Sequence, residues 1–415
     1  MALSGLDAVF WGVVTFSILV VLHEGGHFLV ARLFGVTVHE FMIGLPGPAL
    51  RLRGKKTTYG VTAIPFGGYV RIAGMEPGEE DPLLAGALGV IASRGSATVG
   101  ELARALGVDQ ERASAIATVL EDWGAVLRDE THTLTLAPGL DPSMPADEML
   151  AAVRAKTYRG LSTPKRIAVL SAGVVANILA AVLVFTVVLS AFGTYEPSRT
   201  LEDIQPGSPA AAAGLRAGDT LIAIDGRTIA SWEEFQRAVA ASKPGDRLLL
   251  EVERGQTTLA VPVVLGERDG HGYVGVRVSL EKVDYTVGQA LVQSFVWTGM
   301  VFQAIVGFFR PDTFPQSVEN ARSVVGISVM AADAAKAGPL DYAWLVALLS
   351  LSLGAMNLMP IPPLDGGKIA FEVLQRITGR PFGRRLTTAV TVFGAVLLFS
   401  LIGYLVYADI VRLAG

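Results

Sequence analysis

Residues 8–31, AVFWGVVTFSILVVLHEGGHFLVA, are the most informative segment of this sequence. The run is apolar on both sides of its HEGGH centre and reaches the roughly 20 residues that a membrane-spanning helix needs. A cleaved signal peptide is the alternative, but residues 1–31 contain neither Lys nor Arg, and no small-residue cleavage pattern closes the run. We therefore expect a first membrane helix with ionisable groups inside it.

Composition places the whole chain in the membrane class. Of 415 residues, 51% are hydrophobic and 17% are charged, which is unusual for a soluble enzyme. The net charge of -4 is small and the basic residues are scattered, so a nucleic-acid partner is not expected. The chain contains no cysteine, which excludes disulfides and thiolate metal sites. Any metal must therefore be held by histidine and carboxylate.

Three further apolar runs predict membrane helices, at about 167–192, 343–359 and 387–408. Four spans place both termini on one side of the membrane. Loops rich in Lys and Arg are cytoplasmic by the positive-inside rule, which puts residues 193–342 outside and turns the active site toward the cytoplasm. These basic residues are Arg51, Arg53, Lys55, Lys56, Arg71, Arg154, Lys156, Arg159, Lys165, Arg166, Lys368, Arg376, Arg380, Arg384 and Arg385.

The uncharged segment 286–309 complicates this count, because it is also long enough to span. If it crossed the membrane, the third span would reverse, and Asp365 would move to the opposite face from His23 and His27. The basic loop after the third span would then lie outside, against the positive-inside rule. We therefore predict that this segment lies in the outer interface as one or two helices.

His23 and His27 are four residues apart, so a helix stacks them on one face where both can bind one metal. Glu24 lies beside them, within reach of the water that hydrolysis would use. A chance occurrence or a structural histidine pair is the alternative. However, each ionisable group near a bilayer centre costs about 2.5 to 3.5 kcal/mol unless it is compensated. A bound cation facing the helix bundle would compensate all three groups.

A catalytic zinc uses three protein ligands and one open position, so a third ligand is needed. Asp365 follows the third span, which runs in the same direction as the first and therefore ends at a similar depth. Pro360, Pro362 and Pro363 precede it and cannot continue a regular helix. We expect unwound backbone facing a watery cavity, since membranes tolerate it only there or inside protein. Taken alone, Asp365 would be interpreted as an ordinary loop carboxylate.

These motifs resemble the site-2 protease family of intramembrane zinc metalloproteases, in its bacterial regulator-of-sigma-E branch. The resemblance covers most of the chain: HExxH in the first span, Asn-x-x-Pro-x-Pro-x-Leu-Asp-Gly ending the third, and Pro-Phe-Gly-Gly-Tyr-Val-Arg at 65–71. It implies a zinc ion (Zn2+) held by His23, His27 and Asp365, with Glu24 as general base. The implied activity is hydrolysis of peptide bonds in transmembrane segments, in substrates such as an anti-sigma factor or a signal-peptide remnant.

The same resemblance implies substrate contacts by Asn177, Asn357, Gly67 and Gly68. The two asparagines match polar positions that line the substrate site of the family, and an interhelical hydrogen bond is their alternative role. The glycines lie in region 36–78, whose alternating stretches predict a small membrane-associated β-sheet. The edge of such a sheet would hold an unwound substrate as an added strand.

Two accessory domains are predicted. Residues 193–282 resemble a PDZ domain, which binds extended peptides by strand addition; a spacer or size filter that binds no peptide is the alternative. Residues 79–140 resemble a winged helix-turn-helix inserted in a cytoplasmic loop. Between residues 81 and 137, four arginines oppose eight acidic residues, a net charge of -4, so we expect a protein- or ligand-sensing role in gating or self-association. DNA binding and a passive domain are the alternatives.

The complete expectation is a polytopic α-helical membrane protein with four transmembrane helices, a small β-sheet, an extracytoplasmic PDZ domain and a cytoplasmic winged-helix-like insertion. Its partners would be transmembrane protein substrates and the bilayer of the bacterial inner membrane. A non-proteolytic membrane scaffold and a membrane-tethered transcription regulator are rival interpretations, and intact Glu24 and Asp365 argue against the scaffold. The expected domains are 1–35 (first membrane helix), 36–78 (sheet), 79–140 (winged helix), 141–192 (linker and second membrane helix), 193–282 (PDZ), 283–341 (interfacial helices) and 342–415 (third and fourth membrane helices).

Overall fold

The computed structural model describes residues 2–54, 56–64, 67–75, 80–268, 270–379 and 382–414. The chain divides into two compact units: Met1–Thr186 with Leu291–Gly415, and Val187–Ala290. Pro65 and Phe66 of the predicted 65–71 motif lie outside the described residues, as do Lys55 and Arg380 of the basic loops.

Long helices form most of the first unit, and strands form most of the second. The helices are α1 (Ala2–Leu33), α2 (Leu84–Arg94), α3 (Val99–Leu106), α4 (Gln110–Asp122), α5 (Ala146–Arg154), α6 (Thr163–Phe192), α7 (Pro209–Ala212), α8 (Trp232–Ala241), α9 (Val287–Gly307), α10 (Phe314–Asn320), α11 (Val324–Ala337), α12 (Pro339–Asn357), α13 (Asp365–Thr378) and α14 (Arg384–Ala414). The strands are β1 (Val38–Ile43), β2 (Ala49–Arg53), β3 (Thr58–Thr62), β4 (Gly68–Ile72), β5 (Ser96–Thr98), β6 (Val126–Arg128), β7 (Thr133–Leu136), β8 (Thr194–Ile204), β9 (Thr220–Ile224), β10 (Arg227–Thr228), β11 (Arg247–Arg254), β12 (Thr257–Val264), β13 (Gly266–Arg268), β14 (His271–Tyr273) and β15 (Val276–Val283).

Five helices in the described residues are long and apolar enough to cross a membrane: α1, α6, α9, α12 and α14. Four of them correspond to the predicted spans, and α9 is the segment predicted for the interface. In each helix, no more than 44% of the most apolar window is buried inside the protein. Apolar helices that a protein core does not cover need lipid around them, so the chain is membrane-embedded.

Small residues let α1, α6 and α12 approach closely, as is common where membrane helices pack. A Cβ atom at Gly26 of α1 would lie 2.3 Å from the carbonyl oxygen of Ala172 in α6. From α12, Ser350 donates its hydroxyl hydrogen to the carbonyl oxygen of Asn177 at 3.0 Å. These contacts pack the histidine-bearing helix against the middle of α6.

A four-stranded sheet follows α1, with strand order β2-β3-β1-β4. Strand β1 pairs parallel with β3 and antiparallel with β4, and the register of the second pair shifts at a bulge between Val38 and Glu40. Strand β4 is therefore an edge strand. A Cβ atom at Gly68 would lie 2.8 Å from Cγ1 of Val20 in α1. Glycine permits this approach, so β4 lies beside the turn of α1 that leads to His23.

The inserted region has its own hydrophobic core. Its elements follow in the order α2, β5, α3, α4, β6 and β7, and its three strands form a sheet of order β5-β7-β6. Thr98 and Glu101 cap α3 reciprocally, Gly107 ends that helix in a left-handed conformation, and Asp109 caps α4. The core extends to α5 and includes Leu84, Leu88, Ile91, Leu102, Ile116, Leu120, Trp123, Leu134, Met149 and Val153.

The second unit is a small α/β domain. Its main sheet follows the path β12-β11-β9-β8-β15, with β10 paired to β9. Ser231 caps α8, which buries Phe235 in the core of the domain. Asp219 is fully buried, and Arg254 Nε donates to its Oδ1 at 2.7 Å, which compensates the burial of a charge. This unit holds none of the predicted metal ligands.

The segment after the third span, predicted as a short loop, contains helix α13. Helix α12 ends at Asn357, residues 358–364 are not helical, and α13 begins at Asp365. A Cβ atom at Gly366 would lie 2.2 Å from the carbonyl oxygen of Leu358, so glycine lets the backbone fold back closely on itself. The prolines stop α12 and the glycine allows the reversal, which places Asp365 in the first turn of a new helix.

Candidate active site

The structure brings His23, His27 and Asp365 together. The Nε2 atoms of both histidines lie 3.0 Å from Oδ2 of Asp365 and 3.3 Å from each other. The three possible ligand atoms lie within 4.8 Å of one another, and all three residues are buried. Two imidazole nitrogens and one carboxylate oxygen form the donor set of a catalytic zinc site with one open position.

Different kinds of structure place these three candidate ligands. Helix geometry alone stacks the two histidines of α1, because residues four apart share a face. Asp365 is 342 residues from His23 in the sequence, and it arrives only because α12 unwinds and α13 begins beside α1. The meeting of the three residues therefore depends on how the membrane helices pack.

Two groups on α6 contact the outer nitrogens of the imidazoles. His27 Nδ1 donates to the carbonyl oxygen of Val169 at 2.7 Å, which leaves Nε2 free to bind a metal. His23 Nδ1 lies 3.4 Å from Nδ2 of Asn177, whose Oδ1 is buried without a hydrogen-bond partner in the described part of the chain. If the side-chain amide of Asn177 is flipped, Oδ1 accepts a hydrogen bond from Nδ1–H of His23. The His23 tautomer with the proton on Nδ1 is the one that can bind a metal through Nε2.

Gly173 of α6 lies against both histidine rings. A Cβ atom there would lie 2.5 Å from Nε2 of His27 and 2.8 Å from Cε1 of His23. Interiors are close-packed, so no side chain fits at this position without displacing a ring. Sequence reasoning missed this residue. Its signal was a glycine four residues before Asn177, on the same face of the second span.

The carboxylate of Glu24 is held by the sheet. Its Oε2 accepts a hydrogen bond from the backbone N–H of Val70, in edge strand β4, at 3.1 Å. Lys368 adds a positive charge, since its Nζ lies 3.1 Å from Oδ1 of Asp365 and leaves Oδ2 to the histidines. Sequence patterns assigned neither residue a role in this site: Val70 lies within the 65–71 motif but acts through its backbone, and Lys368 is one of many cations after the third span.

The other residues predicted to contact substrate lie in separate settings. Asn357 Nδ2 donates to the carbonyl oxygen of Leu353, one turn earlier in α12, at 3.0 Å. Gly67 adopts a left-handed conformation with φ of 84°, and its carbonyl oxygen accepts from the N–H of Gly44 at 2.8 Å. Gly68 begins β4. The glycines thus shape the start of the edge strand, while substrate contact remains a prediction for all of these residues.

The residues at this site fit a zinc ion. Histidine and carboxylate are donors that zinc accepts, and the second nitrogen of His27 has the backbone partner that metal-binding imidazoles usually have. Oδ1 of Asn177, which has no hydrogen-bond partner in the described part of the chain, would be the equivalent acceptor for the second nitrogen of His23. Gly173 leaves room for both rings.

Known proteins resemble this chain along nearly its whole length. The sequence model of peptidase family M50 matches residues 11–401. A zinc metalloprotease RasP from Geobacillus kaustophilus is 27% identical, over 98% of this chain and 98% of that protein. A zinc metalloprotease RasP from Oceanobacillus iheyensis is also 27% identical, over 97% of this chain and 98% of that protein. Among solved structures, the PDZ domain of an SdrC-like protein from Listeria monocytogenes matches with 25% identity and a TM-score of 0.19, over 20% of this chain and 90% of that domain.

Proposed function

Because this chain belongs to peptidase family M50, it is a membrane-embedded zinc metalloprotease, and we propose that His23, His27 and Asp365 hold its zinc ion. The observation that carries this assignment is the pair of buried imidazole nitrogens, each 3.0 Å from one carboxylate oxygen. Zinc accepts this donor set and keeps one position open in catalytic sites. When bound, zinc supplies a Lewis acid that lowers the pKa of water and polarises the scissile carbonyl.

Glu24 is the general base and acid in this proposal. It lies in the same helix turn as His23, and Val70 N–H holds its carboxylate at 3.1 Å. The carboxylate accepts a proton from the attacking water while the water oxygen bonds to the carbonyl carbon. As the carbon–nitrogen bond breaks, the carboxyl group returns that proton to the leaving amine. This scheme requires no covalent acyl-enzyme.

The substrate class is a transmembrane segment that unwinds at the site, because a helical carbonyl is already hydrogen bonded and shielded. Backbone groups alternate in direction along an antiparallel strand, and Val70 directs its N–H to Glu24 rather than to β1. Gly68 and Val70 therefore present their carbonyl oxygens along the free edge of β4. An extended substrate pairs there as an added strand, and Gly67 shapes the start of that edge.

Four helices span the bilayer in this proposal, and α9 lies in the outer interface. Thr186, near the outer end of α6, lies 3.2 Å from Ser294 of α9 by hydroxyl oxygens. Helix α10, which follows α9, contacts the last turn of α14: Arg412 of α14 donates to the carbonyl oxygen of Glu319 in α10 at 2.6 Å. Phe185 near the end of α6 also packs against Trp344 near the start of α12, with ring centroids 4.9 Å apart. The chain therefore leaves α6 and enters α12 on the same side of the bundle, which supports an interfacial α9. The active site then faces the cytoplasm, at the inner membrane of a bacterium.

Residues 193–282 act as an extracytoplasmic PDZ domain in this proposal. The support is the sequence resemblance together with a self-contained sheet and the capped helix α8. An extended peptide would add to such a sheet as a strand. A domain of this size also suits a filter that excludes substrates with bulky outer domains.

In this proposal, residues 79–140 act as a winged helix-turn-helix that senses a protein or a ligand in the cytoplasm. This role is favoured over DNA binding and over transcription regulation. The order of helices and strands in the insertion supports this assignment. Two of its arginines are already paired inside the insertion: Arg112 with Asp81 at 2.9 Å, and Arg128 with Glu121 at 3.1 Å. Little positive charge is left for phosphates, so gating of the protease or self-association is favoured over DNA binding.

Glu24→Gln tests the chemistry. The purified protein is reconstituted with a quenched-fluorescent peptide that carries a model transmembrane segment, with and without a zinc chelator. We expect the wild type to cleave, to stop when zinc is removed and to recover when it is returned. Glu24→Gln should keep wild-type zinc content and lose cleavage, because the amide retains the shape but cannot take the proton. Glu130→Gln, an exposed carboxylate of the insertion, is the control; full proteolysis by Glu24→Gln would refute the mechanism.

A further inference from the structure

The insertion contacts the sheet beside the active site through Asp122, the last residue of α4. The Oδ2 atom of Asp122 accepts a hydrogen bond from the backbone N–H of Gly74 at 2.7 Å. Its backbone carbonyl oxygen accepts from Nε2 of His39 at 2.6 Å. Within the described residues, these two hydrogen bonds join the insertion to the sheet. Asp122 therefore ties two paired strands together, since His39 lies in β1 and Gly74 follows β4.

The connection continues along these strands to Glu24. His39 stands at the bulge of β1, where the register to β4 shifts, and bulges re-aim side chains beside active sites. Val70 lies two residues before the end of β4 at Ile72, and the turn residues Ala73 and Gly74 follow directly. Its backbone N–H is the donor that holds Glu24 Oε2 at 3.1 Å. A short, hydrogen-bonded strand thus connects the end of α4 with the proposed general base.

The contact at Asp122 is distinct from the interactions that fold the insertion. The insertion buries its own apolar core, which includes Leu120 and Trp123 directly beside the contact. The side chains of His39 and Asp122 are 19% and 20% exposed, so this contact lies at the margin of the core.

The end of β4 also has backbone partners outside the insertion. Ala73 N–H donates to the carbonyl oxygen of Thr37 at 3.0 Å, and Tyr158 N–H donates to the carbonyl oxygen of Ala73 at 2.8 Å. These bonds keep β4 paired in the sheet without the insertion, and the Asp122 contact adds a further restraint on the position of its end. Removing the Asp122 carboxylate therefore leaves both the strand and the insertion folded, and it breaks the hydrogen bond to Gly74 while the backbone carbonyl of Asp122 keeps its bond to His39.

We propose that Asp122 is a positioning residue for Glu24, through which the insertion sets the activity of the protease. The proposal rests on the general-base role proposed above for Glu24. While Asp122 holds Gly74, β4 keeps the position in which Val70 N–H fixes the carboxylate. A protein or ligand that displaces the end of α4 removes this restraint from the end of β4, so Val70 N–H holds the Glu24 carboxylate less firmly. Catalysis then falls, because proton transfer requires a group placed within hydrogen-bond reach.

Two pairs of substitutions separate positioning from folding. Asp122→Ala removes the carboxylate, while Asp122→Asn keeps an oxygen that can accept from Gly74. His39→Phe removes the donor to Asp122, while His39→Gln keeps an amide N–H in its place. Glu121→Ala is the matched control, because it removes a carboxylate from the preceding residue, whose partner Arg128 lies within the insertion.

Each full-length variant is measured in detergent for zinc content, Tm, kcat and KM on the quenched-fluorescent peptide, and amide hydrogen exchange over residues 67–75. We expect Asp122→Ala and His39→Phe to lower kcat roughly 10- to 100-fold. Their KM, zinc content and Tm should stay at wild-type values, and exchange over 67–75 should become faster. Asp122→Asn and His39→Gln should recover most of kcat, and Glu121→Ala should match the wild type.

Wild-type kcat and exchange in Asp122→Ala would overturn the proposal. A loss of kcat that accompanies lost zinc or lowered Tm, and that Asp122→Asn does not recover, would overturn it as well. Failure of the general-base role gives a different result, since Glu24→Gln would then cleave normally. Hydrogen exchange over 67–75 reports on the Asp122 contact in either case.

Discussion

Gly173→Ala tests the packing of α6 against the proposed zinc ligands. The added methyl carbon would lie 2.5 Å from Nε2 of His27 and 2.8 Å from Cε1 of His23. An ordinary contact between heavy atoms needs about 3.5 Å, so the His27 ring must retreat by roughly 1 Å or α6 must move away from α1. Zinc–nitrogen bonds are about 2.0 to 2.1 Å long and tolerate changes of about 0.2 Å. The substitution therefore breaks the ligand geometry.

Gly173→Ala has two effects of opposite sign on the free energy of unfolding, so they partly cancel. Alanine favours a helix interior over glycine by about 0.5 to 1 kcal/mol. Overpacking a buried position costs about 1 to 3 kcal/mol. The fold should therefore survive, whereas the zinc Kd should rise at least about 10- to 100-fold because a ligand atom is displaced. Loss of metal, rather than unfolding, should dominate the phenotype.

Metal analysis of the purified protein and competition with a chromogenic zinc chelator measure this change. Gly25→Ala is the control, because it lies between His23 and His27 and a Cβ atom there would meet nothing within 4 Å. It should keep wild-type zinc content and affinity. If Gly173→Ala binds zinc as tightly as Gly25→Ala does, the packing argument is wrong.

Asp365→Ala should lose zinc and cleavage, because it removes the oxygen that lies 3.0 Å from both histidine nitrogens. Metal analysis checks this, with Lys368→Ala as the control that keeps the oxygen. Retained zinc in Asp365→Ala would exclude Asp365 as a ligand. Replacing residues 199–266 by a short linker should preserve cleavage of a trimmed substrate and raise cleavage of one with a bulky outer domain, since no proposed ligand lies there. Unchanged selectivity would count against a size filter. A DNA duplex titrated into the full chain at low salt should bind weakly, because residues 81–137 carry a net charge of -4. Tight binding that weakens steeply with salt would contradict the sensing role.

The membrane class, the family and the candidate ligands can all be predicted from the amino-acid sequence alone. His23 and His27 share a face because the helix period is local, and Asp365 is marked by the prolines that stop the third span. The small sheet expected in residues 36–78 is present, with four strands. Hydrophobicity, helix period and proline chemistry act over a few residues, so these features can be read without knowing how the chain packs.

The groups that surround the candidate ligands follow from tertiary packing instead. Gly173 matters because α6 packs against α1 at that height, and Val70 matters because the register of β4 turns one backbone N–H toward Glu24. Asp122 reaches the same strand from a separately folded insertion. In the sequence, a backbone N–H is the same at every residue, and a glycine or an aspartate carries no mark of a distant partner. Such roles arise from the packing of whole elements, which local sequence patterns do not contain.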